Sequence, residues 1–329
     1  MKRLIKLSLI PVSLFLLADA WATTPESVTS SMRNQMSNAV GLVKSQIKRR
    51  FGNSSQAHLS SLFSNQEFGL NAGDTPGLLN NMAAWGSPFR ARTSTKPQIS
   101  GSYDSIDKVT SLTFGLDGLV PQSELLVGGT LEFNNVDALY SDSENKKVDS
   151  LFANLYLAKP LDENLVIYGL VGIGAGDVDS NYLGTIDRYD TDRWNVAAGL
   201  IYSTMLNESF ITLDAGITYA DQDSEAYYSP INGMDLPVDQ TLLGQMTVNL
   251  EVAENIPGSS YNAQAFLNLG YEYDYQMKGS GDDEGLLFGF GARASNNGFD
   301  FEAYAQKRVG RAQSEDDVAF GLNIRRSLQ

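Results

Sequence analysis

Two hydrophobic periods divide the chain. Between Ser27 and Phe51 the apolar residues Val28, Met32, Met36, Val40, Val43, Ile47 and Phe51 recur every three or four positions, the spacing of one helix face. Arg33, Lys44, Lys48, Arg49 and Arg50 make the polar face basic. Residues 52–81 are rich in Ser, Asn and Gly, lack a period and read as a connector, with a short helical turn expected around His58 to Phe63. From Met82 onwards the period is two. In Thr241–Val252 the residues Leu242, Met246, Val248, Leu250 and Val252 face one way, and Thr241, Gln245, Thr247, Asn249 and Glu251 the other. Residues 261–275 set Ala, Leu and Tyr against Asn262, Gln264, Phe266, Asn268, Gly270, Glu272 and Asp274.

There are about 12 such runs, near 82–92, 109–120, 124–137, 148–159, 165–177, 192–204, 210–221, 239–253, 261–275, 284–295, 299–310 and 317–327. Most span roughly 10 to 14 residues, where strands of globular proteins have five or six. The connections alternate. Residues 121–123, 160–164, 205–209 and 296–298 are short turns, whereas 93–108, 138–147, 178–191 and 222–238 are longer and polar. Long alternating strands with short turns at one end and long loops at the other are the pattern of a transmembrane barrel, in which closure satisfies every backbone group. A soluble sandwich or barrel would bury the apolar face instead, but it does not explain the strand length. The expected fold is therefore all-β: a transmembrane antiparallel β-barrel of about 12 strands over 82–329, preceded by an amphipathic α-helix at 27–51. Tyr202, Tyr219, Tyr271, Tyr273, Tyr275 and Trp194 lie where aromatic girdles are expected.

The chain's start agrees with a surface destination. Lys2, Arg3 and Lys6 precede an apolar run from Leu7 to Leu17, and Ala20-Trp21-Ala22 has small residues at both positions a signal peptidase reads. Residues 1–22 are expected to be a cleaved signal peptide, with localisation in the outer membrane. Beyond Thr23 no apolar stretch approaches the roughly 20 residues of a membrane helix. The composition removes other classes. With no cysteine and one histidine, thiol chemistry and multi-histidine metal sites are excluded, and a net charge of −15 argues against a nucleic-acid partner.

Several local motifs fit one family. Trp85-Gly86 opens the first strand, Phe114-Gly115-Leu116-Asp117 lies in the second and Val127-Gly128-Gly129 in the third, and the chain closes on Phe320-Gly321-Leu322-Asn323-Ile324-Arg325-Arg326-Ser327-Leu328. From Ala84 to Leu328 the chain resembles the translocator domain of autotransporters. The resemblance implies an outer-membrane barrel with a helix threading the pore. It also implies that the last strand, Asp317–Leu328, is the signal read by the barrel assembly machinery. The family usually ends on an aromatic residue where this chain has Leu328, and residues 23–81 are shorter than its long β-helical passengers.

Charge and parity suggest what the helix does. Asp117, Glu132, Asp214, Glu251, Glu272 and Glu302 fall on the lumen parity, so Lys44, Lys48, Arg49 and Arg50 are expected to hold the helix in an acidic pore. Gly172, Gly174 and Gly176 share that parity and are expected to leave it room; the run lacks the lysine and helix of a phosphate loop. His58, the residue any Ser–His–Asp arrangement would need, sits in the connector and reads as an exposed polar residue. Asp177, Asp179, Asp187, Asp190 and Asp192 are expected in one solvated outer loop. The leading reading is a non-enzymatic, monomeric translocator-like barrel without cofactors, in contact with outer-membrane lipid and lipopolysaccharide. A surface-binding barrel acting through acidic outer loops is the alternative, and a barrel hydrolase a weaker third.

Overall fold

A chain whose apolar residues occupy alternate positions can shield them on one sheet face, and the sheet avoids open edges by closing. The strands here do so. They are β1 (Asn80–Thr95), β2 (Ser105–Leu119), β3 (Leu126–Tyr140), β4 (Glu144–Pro160), β5 (Leu165–Tyr182), β6 (Thr185–Leu206), β7 (Ser209–Ser224), the short β8 (Tyr227–Ser229) and β9 (Met234–Leu236), then β10 (Gln240–Asn255), β11 (Asn262–Met277), β12 (Glu284–Asn296), β13 (Phe299–Val309) and β14 (Ser314–Ser327). All but β8 and β9 form one closed antiparallel barrel of twelve strands, sealed where β1 pairs with β14 from Ala83↔Ser327 to Thr95↔Ser314. One helix, α1 (Glu26–Phe51), precedes the barrel. This computed structural model describes residues 26–51, 80–95, 104–141, 144–257, 262–277, 284–296, 298–311 and 314–328. The expected signal peptide, the connector and His58 lie outside the described residues.

The outward face is the apolar one. Leu155, Ile173, Leu267, Phe290 and Phe320 are each more than half exposed. On β6 the outward run Trp194, Val196, Leu200 and Tyr202 is bracketed by two aromatics. Eight residues at 3.4 Å per residue and a tilt near 40° separate them by about 21 Å along the barrel axis, close to the apolar band of an outer-membrane barrel. Among the described residues no helix is long and apolar enough to cross a membrane. The spanning elements are strands.

At one end the chain turns through 120–125 after β2, 161–164 after β4 and 207–208 after β6; the other end carries the longer excursion of 225–239 between β7 and β10. Tight turns mark the periplasmic end. One flank rises above the rest at the outer end: β5 has 18 residues and β6 has 22, against 11 in β13. The acidic residues expected in one loop are therefore on strands, Asp177 and Asp179 on β5 and Asp187, Asp190 and Asp192 on β6. The turn between them shrinks to Leu183-Gly184, both at positive φ as a tight hairpin requires. Polar strands can pair above the membrane because water solvates both faces, so the loss of apolar alternation there hid the strands. Arg188 Nε donates to Asp179 Oδ1 at 3.1 Å across this ladder.

The hairpin β8–β9 docks on the inner side of the raised flank. Tyr227 stacks on Tyr189 at 4.4 Å, and Ser229 Oγ and the Ile231 N–H donate to Asp187. Burial, and then the neighbouring Tyr189, push the Tyr227 phenol up to about 12.

Candidate functional site

A helix with an apolar stripe and a basic stripe needs two different surfaces, and the lumen supplies both. Hydrogen bonds run from α1 to β1, β2, β6, β7, β10, β11, β13 and β14. Partners on every side of a closed barrel put the helix inside it. Its 26 residues span about 39 Å, enough to cross the hydrocarbon layer of roughly 30 Å. Ser30 Oγ donates to Asp107 near the outer end of β2, and Arg50 reaches Asp117 near its periplasmic end. The N-terminus of α1 therefore points outwards. Its last turn carries Lys48, Arg49 and Arg50, where cations also complement the helix dipole.

The periplasmic half holds the densest ionic contacts. Lys44 Nζ lies 2.5 Å from Asp214 Oδ1, which also accepts from Asn249 Nδ2 at 3.0 Å. Lys48 Nζ lies 3.3 Å from Glu251 and 3.5 Å from Asp214, and Arg293 holds the other oxygen of Glu251 at 3.0 Å. Arg50 donates to Asp117 Oδ1 through Nη2 at 2.6 Å and Nε at 3.1 Å, while Trp85 Nε1 and the Tyr156 hydroxyl donate to Oδ2. Arg49 is the weakest of the set. It is 3.5 Å from Glu302 and 3.8 Å from Asp300, and none of its guanidinium nitrogens makes a hydrogen bond. Glu302 instead accepts from Ser45 at 3.0 Å.

Glu132 and Glu272 are buried in the lumen wall but meet different partners from those charge counting assigned. Glu132 interacts with Arg193 of β6, and Glu272 accepts from Arg308 and Arg311. The lumen wall carries its own cations, and these are closer in register to the two carboxylates than the helix's last turns are. The outer half of the helix is tied through residues that a search for charged pairs passes over. Arg33 donates to Asp274 at 2.7 Å, Asn34 bridges Thr93 and Arg308, and Gln35 accepts from Arg193. Asp274 shares the parity of Glu272, so its inward position was available from the pattern; the amide contacts had no such signal.

The three glycines of β5 do not make room for the helix directly. A Cβ on Gly172 would lie 2.0 Å from Asn154 Oδ1, one on Gly174 would lie 1.9 Å from the Phe152 ring, and one on Gly176 2.9 Å from Ser150 Cβ. The space is filled from neighbouring strands. Phe152 lies flat across Gly174, and the Arg193 guanidinium sits 3.5 Å from the ring centroid while reaching Gln35. The glycines act on the helix at one remove.

Nor is the lumen uniformly polar. Met32, Met36, Val40, Val43 and Ile47 pack against inward-facing Leu126, Tyr156, Tyr168, Leu170, Ile201 and Leu243. The apolar partners of this stripe lie mainly on β3 to β6, and their burial holds that face of α1 against the wall. A cavity of about 140 Å³ remains on the far side, between Ser37, Gly41 and Ser45 of the helix and Thr247, Asn268 and Gln306 of the wall.

Comparison with known proteins agrees with this architecture. The autotransporter beta-domain family model matches residues 84–303. The chain belongs to the autotransporter β-domain family. It is an outer-membrane, translocator-like barrel with an N-terminal helix in its pore. Among solved structures it is similar to the beta domain of the Bordetella autotransporter BrkA, with 21% identity, a TM-score of 0.66, and coverage of 76% of this chain and 100% of that one. The translocator domain of NalP from Neisseria meningitidis gives 15%, 0.61, 84% and 98%. The transport unit of AIDA-I from Escherichia coli gives 11%, 0.57, 85% and 99%. No curated protein sequence matches significantly.

Proposed function

We propose that this autotransporter-type barrel is a non-enzymatic, self-plugged translocator whose own helix is the segment it holds across the outer membrane. The signal peptide 1–22 directs export, cleavage after Ala22 makes Thr23 the first residue of the mature chain, and the last strand, Asp317–Leu328, is the part read by the assembly machinery. The observation that carries the reading is the direction of α1, from Ser30 beside Asp107 at the outer end to Arg50 on Asp117 at the periplasmic end. The chain crosses the pore once before it enters β1, which also begins at the periplasmic end.

The test is a protease-cleavable epitope inserted after Thr23 in the full chain. In intact cells the epitope is expected to bind antibody and to be removed by external protease. An epitope reached only after the outer membrane is permeabilised refutes the reading.

A second role has one specific observation behind it. The raised β5–β6 flank exposes Tyr182, Leu183 and Ile186 well above the apolar band, with Leu183 at 77% exposure on the tip. That is a platform suited to surface binding. Removing residues 181–186 and scoring cell adhesion tests it: lost adhesion supports this role, and unchanged adhesion rejects it.

A further inference from the structure

Outward positions on this barrel are apolar through the band, with one basic seam at its outer rim. Arg90 and Arg92 of β1 point outwards, because Phe89, Ala91 and Thr93 beside them are buried in the lumen face. Lys108 of β2 lies between buried Asp107 and Val109 and points outwards as well, and Lys307 of β13 has the same parity. Register brings them together. Arg92 is directly opposite Lys108 on one side and Val318 on the other, and Val318 is opposite Lys307. Arg90 is opposite Thr110 and Phe320. Lys108 sits where the outward apolar run Leu112, Phe114 and Leu116 of β2 ends, and Phe320, Leu322 and Ile324 of β14 continue below Val318.

Like charges directly opposite each other destabilise a sheet, and Arg92 and Lys108 are about 5 Å apart at Cβ. No ion pair among the described residues involves Arg90, Arg92 or Lys108. The outward acidic residue nearest in register is Asp137, opposite Lys108. In a chain of net charge −15, a basic cluster on an outward face is out of pattern. Between the cations lies an open groove of about 560 Å³, lined by Arg90, Ala91, Arg92, Lys108, Val318 and Phe320. Its upper part is cationic, and Phe320, 58% exposed, forms its apolar side.

We propose that this seam is a binding site for a phosphorylated lipid of the outer leaflet, the chemistry that lipopolysaccharide offers. Arg90 and Arg92 take the phosphate through forked guanidinium donors, Lys108 adds a point charge, and Phe320 and Val318 contact an acyl chain. A head group held there spans β14, β1 and β2, and so lies across the closing pair of the barrel. The proposal rests on the outer-membrane placement described above.

The full chain, folded in an uncharged detergent, is titrated with phosphorylated lipid A in mixed micelles, with its dephosphorylated counterpart, and with inorganic phosphate. The phosphorylated lipid is expected to bind on the order of 100-fold more tightly than the dephosphorylated one, and the triple variant Arg90→Gln, Arg92→Gln, Lys108→Gln to lose the same factor. Lys159→Gln, which matches the single charge lost in Arg92→Gln but lies at the periplasmic end of β4, should leave binding unchanged. Equal affinity for both lipids, or an unaffected triple variant, overturns the proposal, as does full competition by phosphate alone, which would mark a free-anion site. Heat-modifiable gel migration of the same samples reports the barrel separately from the lipid. If the triple variant does not fold, Arg92→Gln alone is expected to cost about ten-fold, and no loss from it overturns the proposal.

Discussion

Arg50, in the last turn of the helix, donates two hydrogen bonds to a single oxygen of Asp117, the nearer at 2.6 Å, while Trp85 and Tyr156 of the barrel wall hold the other oxygen. The carboxylate is fully buried and every donor to it is fixed by packing, so it joins plug and wall at the periplasmic end.

Breaking such a pair from one side leaves an uncompensated buried charge. Arg50→Ala is expected to lower the unfolding free energy in lipid vesicles by about 3 kcal/mol. The double variant Arg50→Ala, Asp117→Asn should cost less than the sum of the single changes, because the stranded charge is removed with its partner. Additive costs in a urea titration would show that the contact contributes nothing of its own. Arg49→Ala should cost much less, since its contacts at 3.5 and 3.8 Å lack hydrogen bonds.

The two sheet faces differ in what they tolerate. Leu267, 68% exposed, and Val248 face lipid, so arginine at either is expected to cost about 2 to 4 kcal/mol near mid-bilayer. Asn268 and Thr247 line the cavity beside the helix, and arginine there should cost less. Unfolding of the four variants in vesicles checks this. Equal costs on both faces would mean that the outer surface is not in contact with lipid.

The extent to which the sequence foretold this structure varies with the environment of each strand. Within the apolar band, alternation is enforced by lipid on one side, so Val248, Leu250, Leu267 and Leu269 were readable as one outward face. Above the band nothing enforces it, and β5 and β6 run on through Asp177 and Asp192 where polarity suggested a loop. Inside the barrel, parity placed the carboxylates but not their partners. Pairing depends on register and on the cations of the wall, which is why Glu272 meets Arg308 and Arg311. The apolar lumen patch around Leu126, Ile201 and Leu243 was also hidden, because apolar residues at both parities blur the alternation.

Gly174 has a narrower role than clearance for the helix. Gly174→Leu would drive a side chain into the Phe152 ring, displacing the stacked Arg193 and with it the contact to Gln35. Overpacking of this kind costs about 1 to 3 kcal/mol. The paired change Gly174→Leu, Phe152→Ala should recover part of the loss, and no recovery in the same unfolding assay would show that the ring is not what the glycine accommodates.

The helix in the pore is the central claim, and single-channel conductance in a planar bilayer tests it most directly. The full chain should pass a small current, because α1 occupies the lumen beside the cavity along β10 to β13. A chain lacking residues 27–51, shown to be folded by heat-modifiable migration, should conduct markedly more. An unchanged current from the folded deletion variant would contradict the account and place the helix outside the barrel.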